Sequence, residues 1–325
     1  MSSGAPAALA DHRYVEYVSV AVDAAKAAGE VIRQAFKQPK KVQEKLNHAD
    51  LVTATDKAAE DLIFSRIRRS FPDHRFIGEE SSAEAGQGEL TDAPTWMVDP
   101  LDGTTNFVHG FPFVCTSIGL TISKVVVVGV VYNPVLEELF VAAAGGGAFC
   151  NGERIATSRQ TDLAGALLGT EVGTARDAET LDAMFGRMRA LTSRMRSIRC
   201  TGSCALNLCS VALGRTDAFY EINFGGCWDA AAGGLLVAEA GGAVLDPAGG
   251  PWDVMARRVL AAGTPQLAGA VAAVLAECRL SSREVGPPGP GAAGSLGPAG
   301  GEGGAAEGGE GGKTEGGADA AGEGK

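Results

Sequence analysis

The chain has 325 residues, of which 45% are hydrophobic, and its acidic residues outnumber its basic residues to give a net charge of −11. That composition allows one large or two modest buried cores. It argues against proteins that bind nucleic acid or anionic lipid through net positive charge, so no nucleic-acid or membrane partner is expected. An anionic small-molecule substrate would need local attraction from a bound cation or from oriented backbone amides.

Helix signals come first along the chain. Apolar residues recur at steps of three and four over 15–36, which predicts one long helix that ends before Pro39. A second helix is predicted over about 57–69, with Asp56 as its N-cap and Pro72 closing it. Each pattern has one apolar side, so we expect both helices to bury one face.

Strand signals dominate the middle of the chain, and two of the strands form a hairpin joined at Ser123 and Lys124. The predicted strands there are 75–78, 95–98, 115–122, 125–132 and 139–143. Helices and strands alternate in the second half. Its predicted helices lie near 178–191, 203–213, 229–240 and 265–277, and its predicted strands near 166–171, 217–221 and 259–262. This order predicts a mixed α/β (α+β) protein of two α/β halves with a cleft between them.

The end of the chain differs in composition from the rest. Glycine, alanine, proline and glutamate dominate after 285, with no periodic apolar face. Such a segment buries too little apolar surface to offset its ordering entropy. We therefore predict a folded domain over 1–281 and a disordered tail over 282–325.

The seven cysteines are odd in number and include no CxxC pair, which indicates reduced thiols in a reducing compartment. Cys200, Cys204 and Cys209 have poor spacing for structural zinc and are predicted to be small core residues. The first ten residues lack the features of a signal or transit peptide, and the most apolar run, 125–131, is too short to span a bilayer. We expect a cytoplasmic location.

Two carboxylates lie close together in the segment 96–106. An apolar strand is predicted to deliver Asp99 at its end, Pro100 to break that strand, and Asp102 to follow on a tight turn at Gly103. Neighbouring carboxylates repel each other unless a cation neutralises them, and hard oxygen ligands suit Mg²⁺. The amides of Gly103, Thr104 and Thr105 can donate to phosphate oxygens. The alternative is an ordinary polar turn.

Acidic residues at the ends of other apolar elements favour a site over a turn. Glu79 and Glu80 follow a strand, Asp229 begins an Ala/Gly-rich helix, and Asp50 and Asp56 flank the segment Leu-Val-Thr-Ala-Thr. For Asp229 the alternative is a charge that faces the helix dipole. For Glu80, Asp50 and Asp61 the alternative is a solvated position on the surface. His48, His74 and His109 have no recognisable catalytic partner and are predicted to be structural or surface residues.

Four segments together resemble the inositol monophosphatase family. They are, in family order and spacing, Asp50-Leu-Val-Thr-Ala-Thr-Asp56, Phe76-Ile-Gly-Glu79-Glu80, Asp99-Pro-Leu-Asp102-Gly-Thr-Thr, and Trp228-Asp229-Ala-Ala-Ala-Gly with Glu239-Ala-Gly-Gly242. The resemblance covers about 14–280 and makes 1–281 the catalytic domain. The sequences of 202–209 and 220–228 most resemble those of the plant branch of the family, which includes enzymes for inositol phosphate and for L-galactose 1-phosphate.

The resemblance implies a role for each matching residue. One Mg²⁺ would be held by Glu79, Asp99 and the carbonyl of Leu101. A second would be held by Asp99, Asp102 and Asp229. A weaker third would be held by Glu79 and waters. Thr104 and Glu79 would position the attacking water, with Asp56 oriented toward Thr104. Lys45 matches a basic residue near the metals. The substrate-binding positions implied are Leu101, Asp102, Gly103, Thr104, Gly202, Ser203, Cys204, Glu221 and Asp229.

The resemblance also implies a fold, an activity and an assembly. The implied fold is a layered αβαβα sandwich, and the implied assembly is a homodimer. The implied activity is hydrolysis of a sugar or cyclitol phosphate by direct attack of a metal-activated water, dependent on Mg²⁺ and sensitive to lithium. The interval between Glu221 and Asp229 is one residue longer than in the animal enzymes, which leaves specificity between myo-inositol monophosphates and L-galactose 1-phosphate open. The alternatives are a phosphatase for histidinol phosphate, adenosine bisphosphate or fructose bisphosphate, and an inactive binding protein.

Overall fold

The computed structural model describes residues 5–86, 88–284 and 296, and this part of the chain contains eight α-helices and fourteen β-strands. The helices are α1 Val15–Phe36, α2 Ala54–Ser70, α3 Glu79–Ala85, α4 Thr104–His109, α5 Ala178–Thr192, α6 Cys204–Ala212, α7 Cys227–Glu239 and α8 Pro265–Ala276. The strands are β1 Val42–Glu44, β2 Leu51–Thr53, β3 Arg75–Gly78, β4 Thr95–Asp102, β5 Cys115–Ile122, β6 Val125–Asn133, β7 Glu138–Ala143, β8 Gly147–Cys150, β9 Glu153–Arg154, β10 Leu167–Thr170, β11 Ser197–Arg199, β12 Ala218–Ile222, β13 Ala243–Leu245 and β14 Arg258–Ala262.

Two sheets carry the two halves. The first has seven strands in the order β3-β4-β5-β6-β7-β8-β9, parallel between β3 and β4 and antiparallel elsewhere. The second has five strands in the order β11-β10-β12-β14-β13, with β11, β10 and β12 parallel. The predicted hairpin is confirmed as β5 and β6. Both strands are buried on both faces, which explains the continuous apolar run of β6, whereas β5 also buries threonine and serine.

Helices cover both faces of each sheet. The pair α1 and α2 packs on the outer face of the seven-stranded sheet, α6 and α7 lie between the sheets, and α5 and α8 cover the far face of the second sheet. The layered αβαβα sandwich is therefore confirmed. The helix α7 is buried nearly all round and approaches the first sheet closely. A Cβ at Gly129 would come within 2.7 Å of the carbonyl oxygen of Ala232, so only glycine fits there.

The start of α2 corrects one prediction. Asp56 is not the N-cap, because the helix begins at Ala54 and Thr53 caps it by accepting from the amide of Thr55. Asp56 occupies the third helical position, and its Oδ2 accepts from the Thr53 amide at 2.9 Å and from the Thr53 hydroxyl at 2.5 Å. Both members of a capping box are present, and the other oxygen of Asp56, Oδ1, lies 3.1 Å from Thr104 Oγ1.

The prediction that Pro100 breaks its strand is also wrong. The strand β4 continues through Pro100 to Asp102. Its pairing with β5 shifts register between Asp99 and Asp102, so the missing amide of Pro100 falls at an irregularity of the ladder. The shift keeps both aspartates on one strand.

The folded body reaches past the predicted boundary at 281. Ser281 and Glu284 are buried, and the Glu284 carboxylate forms an ion pair with the buried guanidinium of Arg187 on α5. Its Oε2 also accepts from the Ser281 amide at 2.8 Å. Leu296 is paired with Val126 as an isolated bridge. The rest of the predicted tail lies outside the described residues, so its predicted disorder stays a prediction.

Candidate active site

Three carboxylates meet between the halves. Asp99 and Asp102 lie at the carboxyl end of β4, and Asp229 lies in the first turn of α7. Ligand oxygens of all three lie within 4.8 Å of one another, and all three residues are buried. The structure thus brings together the three predicted ligands of the second metal.

Backbone and hydroxyl donors hold each carboxylate of this cluster. Asp99 Oδ1 accepts from the Leu101 amide at 2.9 Å, and Asp229 Oδ2 accepts from the Gly226 amide at 2.9 Å. Asp102 Oδ2 accepts from the Ser203 hydroxyl at 2.6 Å and from the Ala205 amide at 2.8 Å. Each carboxylate keeps acceptor capacity beyond these bonds, as a cation ligand must.

Burial and mutual repulsion raise the pKa of all three groups. Burial, with the charges of Glu79 and the two neighbouring aspartates, raises the pKa of Asp99 well above its ordinary value. Burial and the same kind of repulsion raise the pKa of Asp229 to about 8. Burial raises the pKa of Asp102 to about 6, although the Ser203 and Ala205 hydrogen bonds oppose the rise. A cation would relieve this repulsion.

Glu79 lies beside the cluster, close enough for its charge to act on all three aspartates. It is the first residue of α3, and its Oε1 accepts from Lys45 Nζ at 2.8 Å. Lys45 also donates to Glu80 Oε1 at 2.7 Å, so Glu80 is buried and ion-paired, not a solvated surface residue. Burial and the charge of Glu79 raise the pKa of Glu80 to about 7, against the lowering effect of Lys45.

A hydroxyl and a carboxylate face the cleft next to the cluster. Thr104 Oγ1 lies 3.1 Å from Asp56 Oδ1 and 3.2 Å from the carbonyl oxygen of Leu101, and its hydroxyl can donate to either. Thr104 begins α4, whose N-cap is Gly103 with φ of 89°. A Cβ at that glycine would come within 2.8 Å of the Phe113 carbonyl oxygen. The positive φ and this close approach each exclude a side chain there. The predicted pairing of Asp56 with Thr104 is present in the structure.

The loop before α6 forms the second side of the cleft. It carries Gly202 and Ser203, and Cys204 is the first residue of α6; Ser203 caps α6 by accepting from the Leu206 amide at 3.2 Å. Glu221, at the end of β12, is buried, and its Oε2 accepts no hydrogen bond from the described residues. Burial, with the charges of Glu171 and Asp229, raises the pKa of Glu221 well above its ordinary value. A buried acceptor with no protein donor suits a ligand hydroxyl.

Sequence reasoning missed two residues that build this loop. Glu171 follows β10, and its Oε1 accepts from the amides of Thr201 and Gly202, each at 2.8 Å. Asn106 on α4 donates through Nδ2 to the carbonyl oxygens of Phe113 at 2.8 Å and Thr201 at 2.7 Å. A signal for Glu171 existed, because it ends an apolar strand just as Glu79 does. Nothing in the sequence marks Asn106.

Other predicted residues have structural places. His74 stacks on Phe71 and accepts from the Trp96 indole at 3.0 Å, which confirms its structural role. Cys204 and Cys209 are buried as predicted, whereas Cys200 is exposed and is not a core residue. The described residues include no helix that is long and apolar enough to cross a bilayer.

The sandwich and its carboxylate cluster define a metal-dependent phosphatase for small phosphate esters, with the cluster at the junction of its two halves. A family model described as the inositol monophosphatase family matches residues 14–280. The chain is 60% identical over 247 residues to inositol monophosphatase 2 of Solanum lycopersicum, which covers 76% of this chain and 93% of that relative. The chain belongs to the inositol monophosphatase family, and it is a phosphoric monoester hydrolase.

Solved structures agree with this assignment. The extragenic suppressor protein suhB of Bartonella henselae aligns with a TM-score of 0.72 and 35% identity, over 80% of this chain and 98% of that one. The inositol monophosphatase of Anabaena aligns with a TM-score of 0.69 and 34% identity, over 81% of this chain and 96% of that one. The sandwich and the order of its elements are thus shared with solved members of the fold.

Proposed function

We propose that this protein is a Mg²⁺-dependent phosphatase that hydrolyses myo-inositol monophosphates, L-galactose 1-phosphate or both. The observation that carries the proposal is the buried cluster of Asp99, Asp102 and Asp229, whose ligand oxygens lie within 4.8 Å of one another. Three converging carboxylates in an apolar surrounding repel one another, and a hard divalent cation is the ligand that their oxygens prefer.

The residues present fit Mg²⁺ as a cofactor. The ligand atoms are all oxygen, and burial together with mutual repulsion raises the pKa of Asp99 and of Asp229; a cation would remove the repulsion. Asp99, Asp102 and Asp229 would hold one ion, and Glu79, Asp99 and the Leu101 carbonyl another. Bound Mg²⁺ would supply charge neutralisation for the phosphate and a lowered pKa for the attacking water. Glu79 would first have to exchange its bond to Lys45 for one to the cation.

The chain itself orients the reacting groups. Asp56 is fixed by Thr53, and the Thr104 hydroxyl lies within hydrogen-bond distance of it, which leaves lone pairs on Thr104 Oγ1 to accept from a water. Thr104 and Glu79 would position that water for direct attack on phosphorus. The amides of Gly103 and Thr104 would donate to phosphate oxygens at the start of α4. We therefore infer catalytic roles for Glu79, Thr104 and Asp56.

The substrate's hydroxyl groups would face the second half of the molecule. The unpartnered Oε2 of Glu221 is the acceptor for one hydroxyl, and the loop at Gly202, Ser203 and Cys204 supplies further polar atoms. Ser203 is already engaged with Asp102, so its remaining capacity is as an acceptor. This site suits a ring with several adjacent hydroxyls and serves inositol and L-galactose esters alike.

We also infer inhibition by Li⁺, a homodimer and a cytoplasmic location. The support for the first two is family membership over 14–280. The support for the third is the cysteine usage of the sequence. Inhibition by LiCl, sedimentation of the full chain at micromolar concentration and localisation of a tagged full-length protein test the three inferences separately.

The experiment for the main proposal measures phosphate release from five esters, namely inositol 1-phosphate, L-galactose 1-phosphate, fructose bisphosphate, adenosine bisphosphate and glycerol 2-phosphate. Each is assayed in Mg²⁺ and in excess EDTA. We expect the first two to be hydrolysed fastest, EDTA to abolish release and added Mg²⁺ to restore it. Undiminished release in EDTA would contradict the metal assignment, and preference for the nucleotide would contradict the substrate assignment.

A further inference from the structure

Glu171 occupies a place next to Glu221 that the order of strands dictates. The strands β10 and β12 are parallel neighbours, and Thr170 is paired with Tyr220. Glu171 directly follows β10 and Glu221 is the next-to-last residue of β12, so both lie at the carboxyl ends of this parallel pair. Loops at such ends commonly line ligand sites in α/β proteins. The charge of Glu171 acts on Glu221, which places the two carboxyl groups near each other.

The carboxylate of Glu171 is hydrogen-bonded to the loop at Thr201 and Gly202. Its Oε1 accepts from the amides of Thr201 and Gly202, each at 2.8 Å, and from Asn207 Nδ2 at 2.6 Å. The Thr201 hydroxyl, 3.3 Å from the same oxygen, donates to it or to Asn207 Oδ1 at 2.9 Å. One oxygen thus joins β10, the loop and α6.

The same loop is held from the first half of the molecule. Asn106 binds the Thr201 carbonyl oxygen at 2.7 Å, and Ser203 donates to Asp102 at 2.6 Å. The loop therefore has a fixed position relative to the carboxylate cluster at one end and to Glu221 at the other. Its anchor on the first half reaches the cluster, whereas its anchor at Glu171 lies beside Glu221.

We propose that Glu171 is a positioning residue that sets selectivity for the hydroxyl-bearing part of the substrate. It fixes the backbone of Thr201 and Gly202, and thereby the distance between this loop and Glu221, without contacting the phosphate. The proposal rests on the proposed function and deepens it. Loss of the Glu171 carboxylate frees two loop amides and shifts the hydroxyl-facing wall, whereas Asp99 and Asp229 keep hydrogen bonds that do not involve this loop.

Two variants grade the effect. Glu171→Gln keeps one acceptor oxygen for the two amides, and Glu171→Ala removes it. For inositol 1-phosphate we expect kcat/KM to fall about tenfold in the first and about a hundredfold in the second, mainly through KM. For glycerol 2-phosphate, which lacks the ring, we expect a change below about threefold. The Mg²⁺ concentration that gives half-maximal activity should stay unchanged in both.

The matched control is Glu239→Gln. The Glu239 carboxylate also grips a loop through two backbone amides, those of Gly145 at 2.7 Å and Gly147 at 2.8 Å, but at the other end of α7 from Asp229. A general loss of loop order should affect this variant similarly, so unchanged selectivity in Glu239→Gln isolates the effect of Glu171.

The outcomes separate this proposal from the function on which it rests. A wild-type protein that releases no phosphate from any ester would overturn both. An active wild type with equal losses on both esters, with a changed Mg²⁺ requirement, or with no loss in either variant would overturn the role of Glu171 alone. If Glu171→Ala does not fold, as judged by circular dichroism, Glu171→Gln alone decides.

Discussion

The two ends of the cleft are built in different ways. The proposed phosphate end is a cluster of buried carboxylates at the carboxyl end of β4 and the start of α7, where burial and mutual repulsion raise the pKa of Asp229 to about 8. The hydroxyl end is a loop of backbone groups beside one buried carboxyl, Glu221, whose pKa is raised mainly by burial. Carboxylate side chains therefore build the first end, and backbone groups of one loop build much of the second. We expect substitutions at the two ends to change different kinetic quantities.

The largest expected effect is at the phosphate end. Asp99→Asn keeps the shape of the side chain and removes the charge that both proposed cations share. We expect activity to fall by at least about a thousandfold on every ester, because metal and electrostatic effects of this kind supply that much of the rate. Folding should survive, since the change relieves repulsion.

Phosphate release across the ester panel, with melting curves in parallel, checks this. Asp61→Asn is the matched control, because Asp61 is exposed on α2 and has no assigned role. Near-normal turnover in Asp99→Asn would contradict the bridging role.

A smaller and selective effect is expected at the hydroxyl end. Glu221→Gln weakens an acceptor for substrate hydroxyls, and a hydrogen bond to a charged group contributes about 1.5–3 kcal/mol. Selectivity between inositol 1-phosphate and glycerol 2-phosphate should therefore fall roughly ten- to a hundredfold. The kcat/KM values of wild type and variant on both esters check this. An equal loss on both esters would mean that the two ends are not separable.

The third prediction concerns stability of the metal-free protein. Asp102 and Asp229, with pKa values raised to about 6 and about 8, retain protons in the folded state where the unfolded chain has lost them. The contribution of these two groups to folded-state stability should therefore be greatest below about pH 4 and should be lost as the pH rises through about 6 for Asp102 and about 8 for Asp229. Mg²⁺ should raise the melting temperature by more at pH 8 than at pH 5.

Melting curves in EDTA and in Mg²⁺ at the two pH values measure this difference. Asp229→Asn should reduce the dependence on pH and on Mg²⁺ together. An equal rise in melting temperature on adding Mg²⁺ at both pH values would contradict a stabilising effect of the cation through the aspartate cluster.

The smallest effect is expected from the tail, which neither end of the cleft requires. Deleting 286–325 removes the described contacts of Leu296, which pairs with Val126 and packs against the hydrophobic core, and should leave stability and turnover nearly unchanged. Glu284→Ala is the contrasting variant. It leaves the buried guanidinium of Arg187 unpaired and should cost about 3 kcal/mol of unfolding free energy.

Thermal and urea unfolding of both proteins compare the contribution of residues 286–325 to stability with that of Glu284. A large loss of stability on truncation would show that the contacts of Leu296 contribute strongly to the free energy of unfolding.

Much of this architecture could be predicted from the sequence, because long periodic segments fix their own type. The helix α1 and the hairpin of β5 and β6 have strong apolar patterns, and both are confirmed. The start of α2 was wrong because a threonine followed by an aspartate three residues later also forms a capping box. The break at Pro100 was wrong because an irregular ladder tolerates a proline inside a strand.

The site divides in the same way. Asp99, Asp102 and Asp229 could be found because acidic residues stand at the ends of apolar elements, and their convergence is confirmed. The roles of Glu171 and Asn106 depend on which loop lies beside them, and pairing of distant segments cannot be read from local periodicity. The burial of Glu80 has the same cause, since its partner Lys45 comes from a separate hairpin.

The helix α7 has a consequence for biogenesis. It carries Asp229 and is enclosed by both sheets, whereas Asp99 ends a strand of the first sheet alone. A nascent chain that has emerged only as far as β9 has no complete ligand cluster, so cations in the cell cannot stabilise it by that route. The cluster closes only when the second half has been translated and docked. Cation binding at this cluster would therefore be a late step of assembly, and a pulse-labelled chain should become resistant to proteolysis in a Mg²⁺-dependent way only after release from the ribosome.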